Sequence, residues 1–256
     1  MRRLLLRVLW PIVIALVVAA CTGGTESPPV EPARVVSEDD DCPDQREIVT
    51  DGDHLASEAS ADVDGDGTED EIYLVRDDAA PEDCRAFLVV ATQGEDARVV
   101  SEPVWRRGSR ATVPEPRIHS VVQIDGEPGI EIVVDEAAGA STRFAGAFTF
   151  DGDALERIAP AEPTEFWSGA EEFLFPYGGS VGHIEGADCA DQHDVVVSVA
   201  LPAGPSANTY AIARRFFDLE GAELVERDLV RTVATADDVF EDFPEFRASP
   251  FGSCPS

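Results

Sequence analysis

The residues best placed to do chemistry are Asp62-Val63-Asp64-Gly65-Asp66-Gly67-Thr68-Glu69-Asp70, followed at once by the apolar Ile72-Tyr73-Leu74-Val75. Carboxylates stand at the first, third, fifth and ninth positions and a glycine between them at Gly67, the sixth. Alternate residues of a tight loop can turn their oxygens towards one cation. The side chains of Asp62, Asp64, Asp66 and Asp70, with the carbonyl of Thr68, make an all-oxygen, anionic cage suited to Ca²⁺. An EF-hand would need an acid at the twelfth position, where Tyr73 stands, so a helix–loop–helix is excluded. The bland reading is a solvated Asp-Gly turn, but four crowded acids repel one another without a cation.

Sliding this loop along the chain reveals a repeat. Gln123-Ile124-Asp125-Gly126-Glu127-Pro128-Gly129-Ile130-Glu131, followed by Ile132-Val133-Val134, matches at a shift of 61 residues. Gln123, Asp125, Glu127 and Glu131 keep four oxygen donors on longer side chains, which reads equally as a weak second metal loop or a vestige. A further shift of 63 sets Asp188 on Asp125 and Asp194 on Glu131, but Gly186 and Ala190 replace the other two acids. This third loop is read as having lost its metal, with Cys189 tied into a disulfide instead.

Each copy needs strands to hold its loop, and β-prone runs separated by Gly, Asp, Asn and Pro supply about four per copy. They fall at 57–63, 71–76, 86–91 and 98–104; then 118–124, 130–135, 144–150 and 154–158; then 173–184, 195–201, 209–217 and 224–230. Asp151-Gly152-Asp153 and Glu220-Gly221 mark hairpin turns. A short helix is expected over 236–243, capped by Thr235. The fold class is therefore all-β, with about three four-stranded antiparallel, blade-like repeats (about 50–113, 114–163 and 164–232) and a C-terminal extension.

The loop at 62–70 with its apolar strand resembles the FG-GAP or VCBS-like repeat of integrin-α-type β-propellers. That resemblance implies a Ca²⁺-binding loop joining the first two strands of a blade, with Asp62, Asp64, Asp66 and Asp70 as side-chain ligands and Thr68 giving its carbonyl. It is strongest over 61–75, weaker over 121–134 and poor over 183–197. Three units fall short of the roughly four blades of the smallest usual ring, which implies an incomplete or irregular propeller. The repeat is a scaffold and assigns no reaction.

The rest of the sequence places the scaffold. Arg2, Arg3 and Arg7 precede an apolar run from Val8 to Ala20, ending Val18-Ala19-Ala20-Cys21. The run is too short for a comfortable span but suits a signal-peptide core. Small residues before a cysteine resemble the lipobox of bacterial lipoproteins, which implies cleavage after residue 20, lipidation of Cys21 and anchoring on the outer face of the cell membrane. Residues 21–45, rich in Pro and acid, read as a tether, and 46–256 as the β-domain. Cys42, Cys84, Cys189 and Cys254 in an oxidising compartment argue for two disulfides; Cys42–Cys84 and Cys189–Cys254 is the favoured pairing of three. The net charge of −32, with all 19 basic residues arginine, repels nucleic acid and excludes it as a partner.

Other constellations weigh less. Gly178-Gly179-Ser180-Val181-Gly182 matches a nucleophile-elbow string, but no helix and no βαβ pattern follows, so it reads as a β-turn. Phe166, Trp167, Phe173, Phe175 and Tyr177 read as core before they read as a glycan- or protein-stacking face. Arg106, Arg107 and Arg110 read as internally paired, and the four histidines show no metal spacing. The expected function is a non-enzymatic, calcium-binding, membrane-anchored module for an unidentified protein or glycan ligand, or for structure alone. The alternative is an extracytoplasmic metal-dependent or serine hydrolase.

Overall fold

The computed structural model describes residues 55–76, 85–94, 97–104, 116–162, 173–191, 193–204, 208–247 and 249–256, all within one compact unit, Asp41–Ser256. The signal peptide, Cys21, the tether, Cys42, Cys84, the arginine cluster at 106–110, Phe166 and Trp167 lie outside the described residues. Among those described, no helix is long and apolar enough to cross a membrane.

The protein is all-β, built from antiparallel sheets. Strands β1 (Leu55–Ala61), β2 (Asp70–Arg76), β3 (Ala86–Ala91) and β4 (Val99–Pro103) form a four-stranded meander in chain order. A second meander begins with β5 (Arg117–Val122), β6 (Glu131–Ala138), β7 (Thr142–Phe150) and β8 (Leu155–Arg157). The expected hairpin after β7 is present: Asp151 Oδ1 accepts the N–H groups of Asp153 and Ala154, and Gly152 takes φ 96°.

The second and third units do not form separate sheets. Strand β8 is so short that it pairs only with Phe148–Phe150, leaving the first half of β7 with open backbone groups. Strand β10 (Phe175–Ser180) takes that edge through Phe175–Gly178, and β11 (His183–Ala190), β12 (His193–Pro202), β13 (Thr209–Glu220) and β14 (Glu223–Thr235) continue the sheet. The two-residue strand β9 (Ala159–Pro160) pairs in parallel with Glu223 and Leu224, so the pairing path that leaves β7 through β10 returns beside β8. The run expected as one strand over 173–184 is split by a turn at Val181-Gly182, so β10 and β11 are a hairpin. The Gly-x-Ser-x-Gly string, at 178–182, spans the end of β10 and that turn. Ser180 Oγ accepts the Gly182 N–H, while His183 Nε2 lies 2.9 Å from Thr142 Oγ1.

The apolar run Ile132-Val133-Val134 explains the layering, since a strand buried on both faces reads as continuous rather than alternating. Ile132 and Val134 pack with Ile72, Leu74, Leu88 and Val90 of the first sheet. Val133 turns the other way, into a core with Phe175, Tyr177, Val195, Val197 and Phe217. Phe173, Phe175 and Tyr177 are therefore core residues. A third cluster joins Ile184, Ala200 and Ile212 to Val239 and Phe246. Those last two residues come from helix α1 (Val239–Asp242) and the 3₁₀ turn Pro244–Phe246. The expected helix is thus shorter than 236–243. Its N-cap is Asp238 rather than Thr235, and no side chain caps it; Thr235 Oγ1 accepts the Asp238 N–H (3.3 Å) one step before the helix.

Candidate metal centre

The acidic loop is the β1–β2 connection, as the flanking strand runs and the repeat resemblance implied. Gly65 (φ 73°) and Gly67 (φ 88°) adopt the left-handed conformation that makes the reversal. The loop's carboxylates first organise its own backbone. Gly67 N–H donates to Asp62 Oδ2 (3.0 Å), Asp66 N–H to Asp64 Oδ1 (3.1 Å) and Thr68 N–H to Asp66 Oδ1 (2.7 Å). Asp70, at the start of β2, is fully buried. Its Oδ2 accepts the Val63 N–H (2.9 Å), and its Oδ1 accepts the Gln93 N–H (2.9 Å) from the β3–β4 connection.

Asp62, Asp64 and Asp70 each bring a carboxylate oxygen within 4.8 Å of the others. Asp66 is exposed and stands outside that group of carboxylates, and Thr68 is exposed as well. Asp62 Oδ1 is buried and has no hydrogen-bond donor. Burial pushes the Asp64 carboxyl up, and the charges of Asp70, Asp66 and Asp62 add to it, while the Asp66 N–H offsets part. A buried, undonated carboxylate oxygen beside two more carboxylates is costly in water alone. A bound cation would remove both costs, and Asp62, Asp64 and Asp70 are the residues that could hold it.

The second loop, between β5 and β6, reproduces the backbone bonds at the same 61-residue shift. Ile124 N–H donates to Glu131 Oε2 (2.7 Å) as Val63 does to Asp70, and Glu127 N–H donates to Asp125 Oδ1 (2.9 Å) as Asp66 does to Asp64. Its centre differs. Gln123 Nε2 donates to the carbonyls of Glu127 (2.5 Å) and Gly129 (2.7 Å), and its Oε1 accepts the Gly126 N–H (2.8 Å). Gly129 is the counterpart of Thr68. An amide nitrogen thus donates to the loop carbonyls, including the one that in the first loop is the expected neutral ligand. Burial pushes Glu131 up to about 7, with Asp125 and Asp194 adding repulsion.

The two loops abut. A Cβ on Gly65 would lie 2.7 Å from Pro128 Cβ, and one on Gly129 would lie 2.8 Å from the Val63 carbonyl oxygen. On its other side the first loop meets Gly94, where a Cβ would lie 2.7 Å from Asp66 Oδ2. Sequence reasoning missed this bracing by Gln93 and Gly94. The only sign of it was a Gln-Gly pair after an apolar run.

The third copy is not a loop. Gly186 and Asp188 lie within β11, which runs to Ala190 and turns at once into β12. Gly186 is instead the point where the 3₁₀ turn crosses the sheet, since a Cβ there would fall 1.7 Å from the Glu245 carbonyl oxygen. Asp188 holds the C-terminal segment by accepting the Ser253 N–H (2.8 Å) and O–H (2.7 Å), and the Cys189–Cys254 disulfide fixes it beside them.

No family model, no curated protein and no solved structure matches this chain.

Proposed function

We propose that this chain is a lipid-anchored extracytoplasmic protein whose β-domain is stiffened by Ca²⁺ in the 62–70 loop, and that it serves as a binding or structural module. Cys21 is its lipidation site, and the acidic 21–45 tether holds the domain off the outer face of the cell membrane. The domain is read as FG-GAP-like blades in an incomplete or irregular propeller. The matched bonds of Val63 to Asp70 and Ile124 to Glu131 support that reading. The observations that carry the calcium reading are the clustering of the Asp62, Asp64 and Asp70 carboxylates and the buried, undonated Oδ1 of Asp62.

The test is thermal unfolding of the full chain in detergent as Ca²⁺ is added. Binding to the folded state alone adds about 2.7 kcal/mol at a hundredfold excess over the dissociation constant, a rise of several degrees for a domain of this size. An unchanged midpoint across the titration removes calcium from the account. For the anchor, Cys21→Ser should move the protein from the membrane to the soluble fraction; persistence on the membrane rules out lipidation at Cys21.

A further inference from the structure

A second constellation lies on other residues and stands independently of the calcium reading. Ser249 Oγ is 3.0 Å from His119 Nε2, and His119 Nδ1 is 3.1 Å from Asp135 Oδ1. From these distances we infer that Ser249 is a nucleophile with His119 as its general base and Asp135 as the group that positions the base, an arrangement suited to cleaving carboxylic esters.

A serine touching a histidine is by itself a common surface contact. Three further features distinguish this one. The first is how the base is placed. His119 is the extra residue of a β-bulge in β5, between Ile118 and Ser120, which pair with successive residues Val134 and Val133 of β6. Bulges re-aim a side chain that regular alternation would send elsewhere. The ring then stands edge-on to Tyr177 at 5.8 Å and is largely covered.

The second feature is the acid. Burial opposes the charge on Asp135, but His119, the Tyr177 O–H at 2.5 Å and the Arg117 guanidinium at 2.8 Å outweigh it and hold the carboxyl at about 2. Asp135 is therefore a carboxylate at any physiological pH and keeps the ring proton on Nδ1, leaving Nε2 to accept the Ser249 proton. Tyr177 and His119 share Oδ1, and the Nδ1–H is out of line for a full hydrogen bond. Such bonds commonly tighten when substrate binds.

The third feature is the segment that carries the serine. Phe251 has φ 56°, a conformation unusual for a residue with a side chain, and its ring is buried against Phe175. Its N–H bonds the Ala187 carbonyl, Pro255 accepts the Gln123 N–H, and Cys254 is tied to Cys189. Ser249 thus sits on a pinned turn while remaining exposed itself. Ser249 is exposed while the side chains of His119 and Asp135 are both largely covered, so a substrate arriving from solvent meets the nucleophile first.

In the reaction, Ser249 Oγ attacks the ester carbonyl carbon as its proton passes to His119 Nε2. The C–O bond to the alcohol breaks, and that alcohol leaves with the proton from Nε2. Water then attacks the acyl-serine, giving its proton to Nε2 and releasing the carboxylic acid as Ser249 recovers its own. One ester and one water become one acid and one alcohol. The strongly negative surface favours neutral or cationic esters over anionic ones.

The test uses the full chain in detergent, a fluorophosphonate probe and p-nitrophenyl acetate, with the adduct located by peptide mass spectrometry. Ser249 should be the labelled serine, and acetate release should show a burst that Ser249→Ala abolishes. His119→Gln should slow labelling by about 100-fold or more. Asp135→Asn should slow it too, with partial rescue by Asp135→Glu, which a merely structural role would not give. If His119→Gln does not fold, wild-type protein modified at His119 by diethyl pyrocarbonate provides the same comparison. A folded wild type unlabelled at Ser249 overturns the inference, and so does labelling at an equal rate without the His119 base.

Discussion

Replacing Glu131 with glutamine should stabilise the protein in alkali and leave it unchanged in acid. Glu131 is almost completely buried, and its carboxylate accepts the Ile124 N–H at 2.7 Å. Burial, with the charges of Asp125 and Asp194, raises its carboxyl from 4.5 to about 7. The folded state therefore binds this proton more tightly than the unfolded chain does. Its contribution to stability is fully present below about 4.5 and is lost as pH rises through about 7. At roughly 1.4 kcal/mol for each tenfold change in proton affinity, the rise from 4.5 to about 7 makes the loss about 3 kcal/mol at high pH. Glutamine keeps a carbonyl for Ile124, carries no charge, and can donate to the acids that now repel Glu131. Urea unfolding in excess chelator reads the difference. With m near 2 kcal/mol/M, the variant's midpoint should lie about 1.5 M higher than wild type at about pH 8.5 and coincide with it at about pH 4.5. A variant midpoint at or below wild type at the higher pH would refute the argument that burial of this charge is a net cost.

Gln123→Asp replaces the bridging amide with a carboxylate and should raise the calcium stoichiometry from about one to about two per chain. A folded variant that still binds one ion would show that Gln123 does not substitute for a cation. Replacing Cys189 and Cys254 by serine frees a closure spanning 65 residues and should cost about 4 kcal/mol, read as a lower urea midpoint. A shift below about 1 kcal/mol would mean that the Asp188–Ser253 bonds hold the segment without the disulfide. Gly186→Ala forces a methyl onto the Glu245 carbonyl and should lower stability by about 1–3 kcal/mol, visible by calorimetry. An unchanged melting temperature would mean that the 3₁₀ turn is not seated there.

The strands were legible where local chemistry decides them. The run Ala86–Ala91 is strand β3 as read, and Asp151-Gly152-Asp153 turns a hairpin because an aspartate caps its own loop. The first loop was legible for the same reason, since glycine and aspartate act within a few residues. The joining of the second and third units was not legible, because it depends on β8 being too short to cover β7, a matter of partner length rather than of β7's own sequence. The third copy misled because Asp188 and Asp194 are in register with the loop acids but lie on a continuous hairpin, where the missing donors let β11 run on. His119, Asp135 and Ser249 carry no local signal at all, for the serine lies 130 residues from the histidine and is brought to it by the disulfide-tied C-terminal segment.

The most direct measurement is calorimetric titration of Ca²⁺ into the full chain beside Asp62→Asn. An asparagine gives the first loop an amide at the position where the second already has one, so the fold should survive without metal. Wild type should bind about one Ca²⁺ per chain, and the variant should bind none while keeping its β-sheet circular dichroism. No binding heat in a folded wild type, or equal binding by both proteins, would contradict the assignment of this loop as the calcium site.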